Sequence, residues 1–202
     1  HNAVRKKAST GDYGFNPQEF IRDYLDGEGR VRQEAALQAW LIHRLSERGP
    51  ESQRVFGVLD VVINRVPGSP FKPIIWMDRI DALGYALENM AEGLHPTITG
   101  FKIIEVKREF LDLPLKEETN PVNQCMKYVD WVAHTRAGGD YSLVEAFLLA
   151  NGFSPAFKRY KDENAQRSYL LPRRPYTPAK WDSLKLVTYE AHPDGKMDLR
   201  IE

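Results

Sequence analysis

The segment Phe101–Arg108, with the sequence FKIIEVKR, decides the fold expected for this chain. Residues two apart in a β-strand share a face, so Ile104 and Val106 are predicted to point into a core. Glu105 and Lys107 then lie side by side on the opposite face. Surface strands often alternate Glu and Lys for solubility, and the pair alone fits that interpretation too. The neighbouring segments therefore decide whether the pair belongs to a site.

Two extended segments precede this strand along the chain. Residues 54–65 are rich in Val and Ile, and residues 74–87 contain Asp81; both are predicted to form strands. If the second of them pairs with FKIIEVKR, Asp81 can approach Glu105. Two carboxylates held together repel each other, and a divalent cation is the usual remedy.

A helix is predicted over residues 31–47, because Leu37, Leu41 and Leu45 repeat every four residues. Glu34 lies one turn before Leu37 on the same apolar stripe. Its carboxylate fits two interpretations: a favourable negative charge at a helix N-terminus, or a functional group on the inner face of the helix.

A second helix is predicted to open at Asn120-Pro121, since Asn is a good N-cap and Pro is tolerated at the first helical position. It is expected to end at Gly138-Gly139. Gln124 and Tyr128 are four residues apart on this helix and share one side, from which both can support or reach the same site.

Asp81, then Glu105-Val106-Lys107, then Gln124-x-x-x-Tyr128 resembles the PD-(D/E)XK nuclease superfamily, and the QxxxY helix is typical of its RecB-like branch. The resemblance covers roughly residues 31–153. It implies an α/β (α+β) fold with a restriction-endonuclease-like core, in which a central mixed sheet is flanked by helices. It also implies that residues 141–153 form a core strand, although their composition favours a helix.

The resemblance implies a role for each matching residue. Asp81 and Glu105 would ligate Mg2+ or Mn2+, with the Val106 carbonyl as a further ligand. Lys107 would orient or help deprotonate the attacking water and offset charge on the phosphate. Asp81 follows Ile80 where the pattern has Pro, and Asp78 is an alternative partner for Glu105.

The same resemblance assigns supporting roles to three other residues in the catalytic set. Gln124 and Tyr128 would organise the site or contact the nucleic-acid backbone. Glu34 matches an acidic residue on the first helix and would bind metal directly or through water. Cys125, the single cysteine, is expected to be a buried thiol and not a nucleophile.

Charge distribution bears on the expected partner. The chain has 28 Lys and Arg residues and 28 Asp and Glu residues, which excludes a histone-like basic coat but leaves a local basic groove possible. Basic residues near aromatic ones suit a nucleic-acid groove, although they also fit a solvated helix face. The residues predicted to bind nucleic acid are Arg108, Lys158, Arg159, Arg173 and Arg174.

The rest of the chain completes the predicted organisation. Residues 1–30 are expected to be a lead-in or linker, and residues 31–202 a nuclease-like domain. Residues 154–171 are predicted to be helical, and residues 184–201 to form a hairpin around Pro193-Asp194-Gly195. The lack of a starting Met suggests a domain cut from a longer parent protein, whose other domains would be partners.

These observations lead to two hypotheses about function and leave open a third possibility, an ordinary α+β domain in which the motif arises by chance. The first is an Mg- or Mn-dependent deoxyribonuclease acting on DNA, with endo or exo action open. The alternative is a catalytically inactive nuclease-like module that binds DNA or assembles within a larger protein. With one cysteine and no apolar run of membrane-spanning length, the chain is expected to be cytoplasmic, with no membrane partner.

Overall fold

A six-stranded mixed β-sheet organises the computed structural model, which describes residues 16–67, 79–88, 96–113 and 119–202. The helices of these residues are α1 (Pro17–Asp23), α2 (Glu34–Ser46), α3 (Pro50–Phe56), α4 (Pro121–Thr135) and α5 (Pro155–Asn164). The strands are β1 (Val61–Pro67), β2 (Arg79–Glu88), β3 (Thr97–Val106), β4 (Phe110–Leu111), β5 (Val144–Ala150), β6 (Gly152–Phe153), β7 (Arg167–Leu170), β8 (Pro178–Trp181), β9 (Leu184–Ala191) and β10 (Met197–Ile201). None of the described helices is long and apolar enough to cross a membrane.

The strand order of the large sheet is β1-β2-β3-β5-β9-β10. β1, β2 and β3 pair antiparallel, β3-β5 and β5-β9 pair parallel, and β9-β10 closes the far edge as an antiparallel hairpin. Helices cover both faces of this sheet, which confirms the predicted fold class: a mixed α/β domain with a central mixed sheet flanked by helices.

Each face of the sheet carries its own apolar core. On one face α4 packs through Val129 and Val132 against strand residues such as Ile103. On the other face α2 packs through Leu37 and Leu41 against Ile104, Val106 and their neighbours. Ile104 and Val106 are fully buried, as the alternation in FKIIEVKR predicts. Truncating Leu37 or Leu41 to Ala would cost about 2–5 kcal/mol, because both side chains are completely enclosed.

The predicted strand over residues 54–65 is wrong in its first half. Pro50 starts α3, and the chain is helical until Phe56. Gly57 then adopts a φ of 70°, which ends the helix. Lys102 on β3 donates to the Phe56 carbonyl at 2.6 Å, so a distant strand satisfies the helix end. Only the part of the segment from Val61 onward forms a strand, as its β-branched residues favour.

Residues 141–153 are extended, as expected from the resemblance and against their helical propensity. After a short 3-10 turn at Tyr141–Leu143 they form β5 and β6. β5 lies between β3 and β9, and its residues from Ala146 to Ala150 are all fully buried. A strand paired on both sides in the centre of a sheet satisfies every backbone group, and this outweighs the weak preference of Leu, Ala and Glu for a helix.

The C-terminal third confirms one prediction and corrects another. The hairpin predicted over residues 184–201 is present as β9 and β10. The helix predicted over residues 154–171 ends at Asn164, and Arg167–Leu170 forms β7 instead. Arg167 makes a two-pronged ion pair with Asp130 on α4, at 2.9 Å for each bond. Antiparallel pairing with β8 keeps β7 extended, and the ion pair joins this strand to α4.

The described part of the predicted lead-in packs against the domain. Asn16 caps α1, and Ile21 of that helix is fully buried in the core on the α2 face. Leu25 and Val31 then form a short antiparallel bridge. The division at residue 31 stays a prediction, but residues 16–30 contribute to the core of the fold.

Candidate functional site

Asp81 and Glu105 come together at the end of β3. β2 and β3 pair with Ala82 opposite Ile104, and this register leaves Asp81 beside Glu105. Asp81 Oδ2 accepts a hydrogen bond from the Val106 backbone N–H at 2.9 Å. The two carboxyl groups repel each other, and this repulsion adds to burial in raising the pKa of Glu105. Asp78, the alternative partner, lies outside the described residues.

Lys107 approaches the pair from the same strand. Its Nζ lies 2.7 Å from Glu105 Oε1, as expected for residues two apart on one face of a strand. The Glu105 side chain is 1% exposed and that of Lys107 is 18% exposed, so water solvates this ion pair poorly. Glu105 Oε2 is buried as well and accepts no hydrogen bond from any residue that the structure describes. One strong acceptor at the centre of the site is thus left for a ligand.

Glu34 and Gln38 reach the site from α2. Glu34 lies in the first turn, half-buried, near enough to Lys107 and Asp81 to interact with their charges. Gln38 is one turn further along and 8% exposed. Its Nε2 donates to Asp81 Oδ1 at 2.8 Å. No sequence motif marks Gln38 as a site residue, although its spacing of four from Glu34 places both on one side of the helix.

The electrostatics of the site are those of three carboxyl groups around one ammonium. Burial, followed by repulsion from Asp81, raises the pKa of Glu105 to about 8. Burial also raises the pKa of Asp81 and of Glu34 above their ordinary values. For Lys107 burial works in the opposite direction, but the adjacent Glu105 outweighs it and raises the pKa of the ammonium. The centre therefore has an excess of negative charge that a cation would relieve.

Gln124 and Tyr128 link α4 to the strand that carries Asp81. Gln124 Nε2 donates to Tyr128 Oη at 2.8 Å, and Tyr128 Oη donates to the Arg79 carbonyl at 3.0 Å. Tyr128 is fully buried. Arg79 begins β2, two residues before Asp81, so the contact fixes the start of this strand against the helix.

Cys125, between those two residues, is also fully buried. Burial raises the pKa of its thiol well above the ordinary value, so the sulfur stays protonated and unreactive.

The residues predicted to bind nucleic acid occupy three separate places. Arg108 follows Lys107 directly and lies beside the acidic centre. Lys158 and Arg159 are on α5, where Lys158 forms an ion pair with Glu202 at 2.5 Å. Arg173 and Arg174 are exposed between β7 and β8. The fold thus brings only Arg108 of this group next to the carboxylates.

The donor set suits a hard divalent cation. Mg2+ is commonly held by one or two carboxylates, with water and substrate oxygens completing its shell. Asp81 and the free oxygen of Glu105 fit that pattern. Within the described ranges, no group of three His, Cys, Asp or Glu side chains could hold a metal ion by itself. A cation here would therefore depend on further oxygens, from the Val106 carbonyl, from water or from a bound phosphate.

Comparison with known proteins gives one partial structural match and no match in sequence. No protein-family model matches it, and no curated protein does. Among solved structures, a partial match is the crystal structure of a repair endonuclease from Pyrococcus abyssi, with 21% sequence identity and a TM-score of 0.35. The match covers 60% of this chain and 42% of the other, so the chain spans less than half the length of that protein. A superposition this loose carries no assignment of residues, and membership of the RecB-like branch stays a prediction.

Proposed function

We propose that this chain is a metal-dependent nuclease domain that hydrolyses DNA phosphodiester bonds. The observation that carries the proposal is the buried Glu105 carboxyl group, which lies between Asp81 and Lys107 and has one oxygen that accepts no hydrogen bond from the described residues. Burying acidic groups together is costly unless a ligand compensates them. An arrangement of this kind is typical of a cation site and has no evident value for stability.

Asp81, Glu105 and the Val106 carbonyl would hold Mg2+ or Mn2+. The bound cation would neutralise charge that develops on the phosphate and lower the pKa of a bound water molecule. Glu34 faces the same centre from α2 and would hold a water molecule or a further ligand position.

Lys107 contributes the positive charge of the site. Its ammonium group is held by Glu105 at 2.7 Å and is not wholly enclosed. A phosphate oxygen placed at the exposed side of this group would gain a charge-assisted hydrogen bond. Lys107 would thus orient the phosphate and stabilise negative charge during the reaction.

The test is to incubate the purified chain with labelled single-stranded, double-stranded and branched DNA, with Mg2+ or Mn2+ and with EDTA. We expect metal-dependent cleavage that is lost in Glu105→Gln and Lys107→Ala. Lys180→Ala, which removes an exposed lysine of β8, is the matched control and should cut like the wild type. DNA binding without cleavage by the wild type would contradict the proposal and favour the inactive binding module.

A further inference from the structure

A small cleft next to the acidic centre contains three arginines. It has a volume of about 260 Å³ and is lined by Asp26, Arg30, Val31, Arg32, Arg108 and Glu109. We propose that this arginine cleft binds the DNA strand at a phosphate neighbouring the one held at Glu105 and Lys107. The inference rests on the proposed nuclease function and identifies the surface that would position its substrate.

The two walls of the cleft are continuous with the site. Arg108 directly follows Lys107, and Arg32 lies two residues before Glu34. The charges of Arg108 and Glu109 also act on the Glu34 carboxyl group, which places cleft and site side by side. A strand whose phosphate lies at Lys107 would therefore present an adjoining phosphate to the cleft.

Two of the three arginines of the cleft donate to backbone carbonyls, which are neutral acceptors. Arg108 donates to the Arg32 carbonyl, and Arg32 donates to the Asp23 carbonyl at 2.5 Å. A carbonyl fixes the position of a guanidinium without cancelling its charge. Within the described ranges, Arg32 forms no ion pair with a carboxylate. Planar guanidinium groups fixed in this way are suited to two-pronged recognition of phosphate.

The two acidic residues of the cleft are engaged differently. Asp26 accepts hydrogen bonds from the backbone N–H groups of Glu28 and Arg30, at 2.9 and 2.8 Å, and so shapes the turn between Leu25 and Val31. Glu109 lies 3.5 Å from Arg108 in an exposed pair. Arg30 pairs with exposed Glu28 at 2.8 Å. Such exposed pairs contribute little energy and can open when a phosphate arrives.

The test measures binding separately from cleavage. Fluorescence anisotropy with a labelled single-stranded oligonucleotide in EDTA, in the Glu105→Gln background, gives the affinity at several salt concentrations. We expect Arg32→Ala with Arg108→Ala to weaken binding and to lower the slope of log K against log salt by about 0.7 per lost phosphate contact. Arg22→Ala, an exposed arginine of α1 outside the cleft, should leave affinity and slope unchanged.

Arg30→Ala keeps the experiment informative if the double variant unfolds. Its side chain is mostly exposed and pairs only with Glu28 among the described residues, so its loss leaves the core intact. A reduced slope in this variant supports the cleft. Metal-dependent cleavage by the wild type, together with wild-type affinity and slope in the folded arginine variants, would overturn the cleft alone. Absence of cleavage by the wild type would instead overturn the proposed function.

Discussion

Gln38 Nε2 donates a hydrogen bond of 2.8 Å to Asp81 Oδ1, which joins a helix on one face of the sheet to the strand that carries the acid. The other oxygen of Asp81 accepts from the Val106 backbone. Both oxygens of this carboxylate are therefore oriented by the protein itself, whereas one oxygen of Glu105 has no donor in the part of the chain that the structure describes. Ligands held by a second set of hydrogen bonds need little reorganisation when a cation binds.

Gln38→Ala should weaken Mn2+ binding by about 10- to 100-fold, the usual cost of losing a partner that orients a metal ligand. Isothermal titration calorimetry without DNA measures this directly. Gln18→Ala removes an exposed glutamine of α1 and should leave the affinity unchanged. Equal Mn2+ affinity of Gln38→Ala and the wild type would show that Asp81 needs no such support.

Asp81→Asn and Glu105→Gln should each weaken Mn2+ binding by more than about 100-fold, because even a supporting partner is worth 10- to 100-fold. Neither change alters side-chain volume. Asp81→Asn removes a carboxylate that repels Glu105, so its thermal stability should be kept or raised, whereas Glu105→Gln also removes the ion-pair partner of Lys107 and should be less stable. Calorimetry and thermal melts of the same samples test both statements. Glu163→Gln, on the exposed side of α5, is the matched control.

Tyr128→Phe should lower the free energy of unfolding by about 1–3 kcal/mol, since the Arg79 carbonyl and the Gln124 amide would lose their partner. Urea denaturation is the appropriate measurement. Tyr176→Phe deletes the same hydroxyl from a side chain that is 61% exposed, and its stability should match the wild type. A Tyr128→Phe variant as stable as that control would contradict the anchoring role of Tyr128.

Glu145 should make stability depend on pH. Partial burial works to raise the pKa of Glu145, but hydrogen bonds from Lys185 and Lys102 outweigh it and hold the pKa below its ordinary value of 4.5. A carboxylate with a depressed pKa stabilises the fold above pH 4.5, and this contribution is lost as the pH falls through the folded-state value.

Glu145→Gln should therefore be less stable than the wild type at pH 7, by about 1 kcal/mol because the pair is partly exposed. The difference should shrink as the pH is lowered below 4.5. Urea denaturation at a series of pH values follows it. A gap between the two proteins that stays constant down to pH 3 would refute this role of Glu145.

Much of the fold could be predicted from local patterns in the sequence. Residues two apart share one face of a strand, so the prediction of a strand at FKIIEVKR placed Glu105 and Lys107 side by side. Asn120 caps α4 through a hydrogen bond from the Val122 N–H at 2.9 Å, as its position before Pro121 predicted. Such signals can be recognised in a sequence because they depend only on residues a few positions away along the chain.

The features that could not be predicted from the sequence depend on tertiary contacts. Gln38 resembles any polar residue on a helix until Asp81 is placed opposite it. β7 is extended because it pairs with β8, and Arg167 attaches it to Asp130, 37 residues away in sequence. The burial of Ile21 likewise depends on the packing of α1 against α2, which no local pattern indicates.

The helices on opposite faces of the sheet both determine where Asp81 lies, one through Gln38 and the other through Tyr128. If the helix on either face unfolds, Asp81 loses a contact that sets its position beside Glu105. Newly made or partly melted copies would thus be unable to cut. Because both helical layers must form before Asp81 is in place, the proposed activity would be restricted to the fully folded domain. This restriction would protect DNA from cleavage by incompletely folded copies.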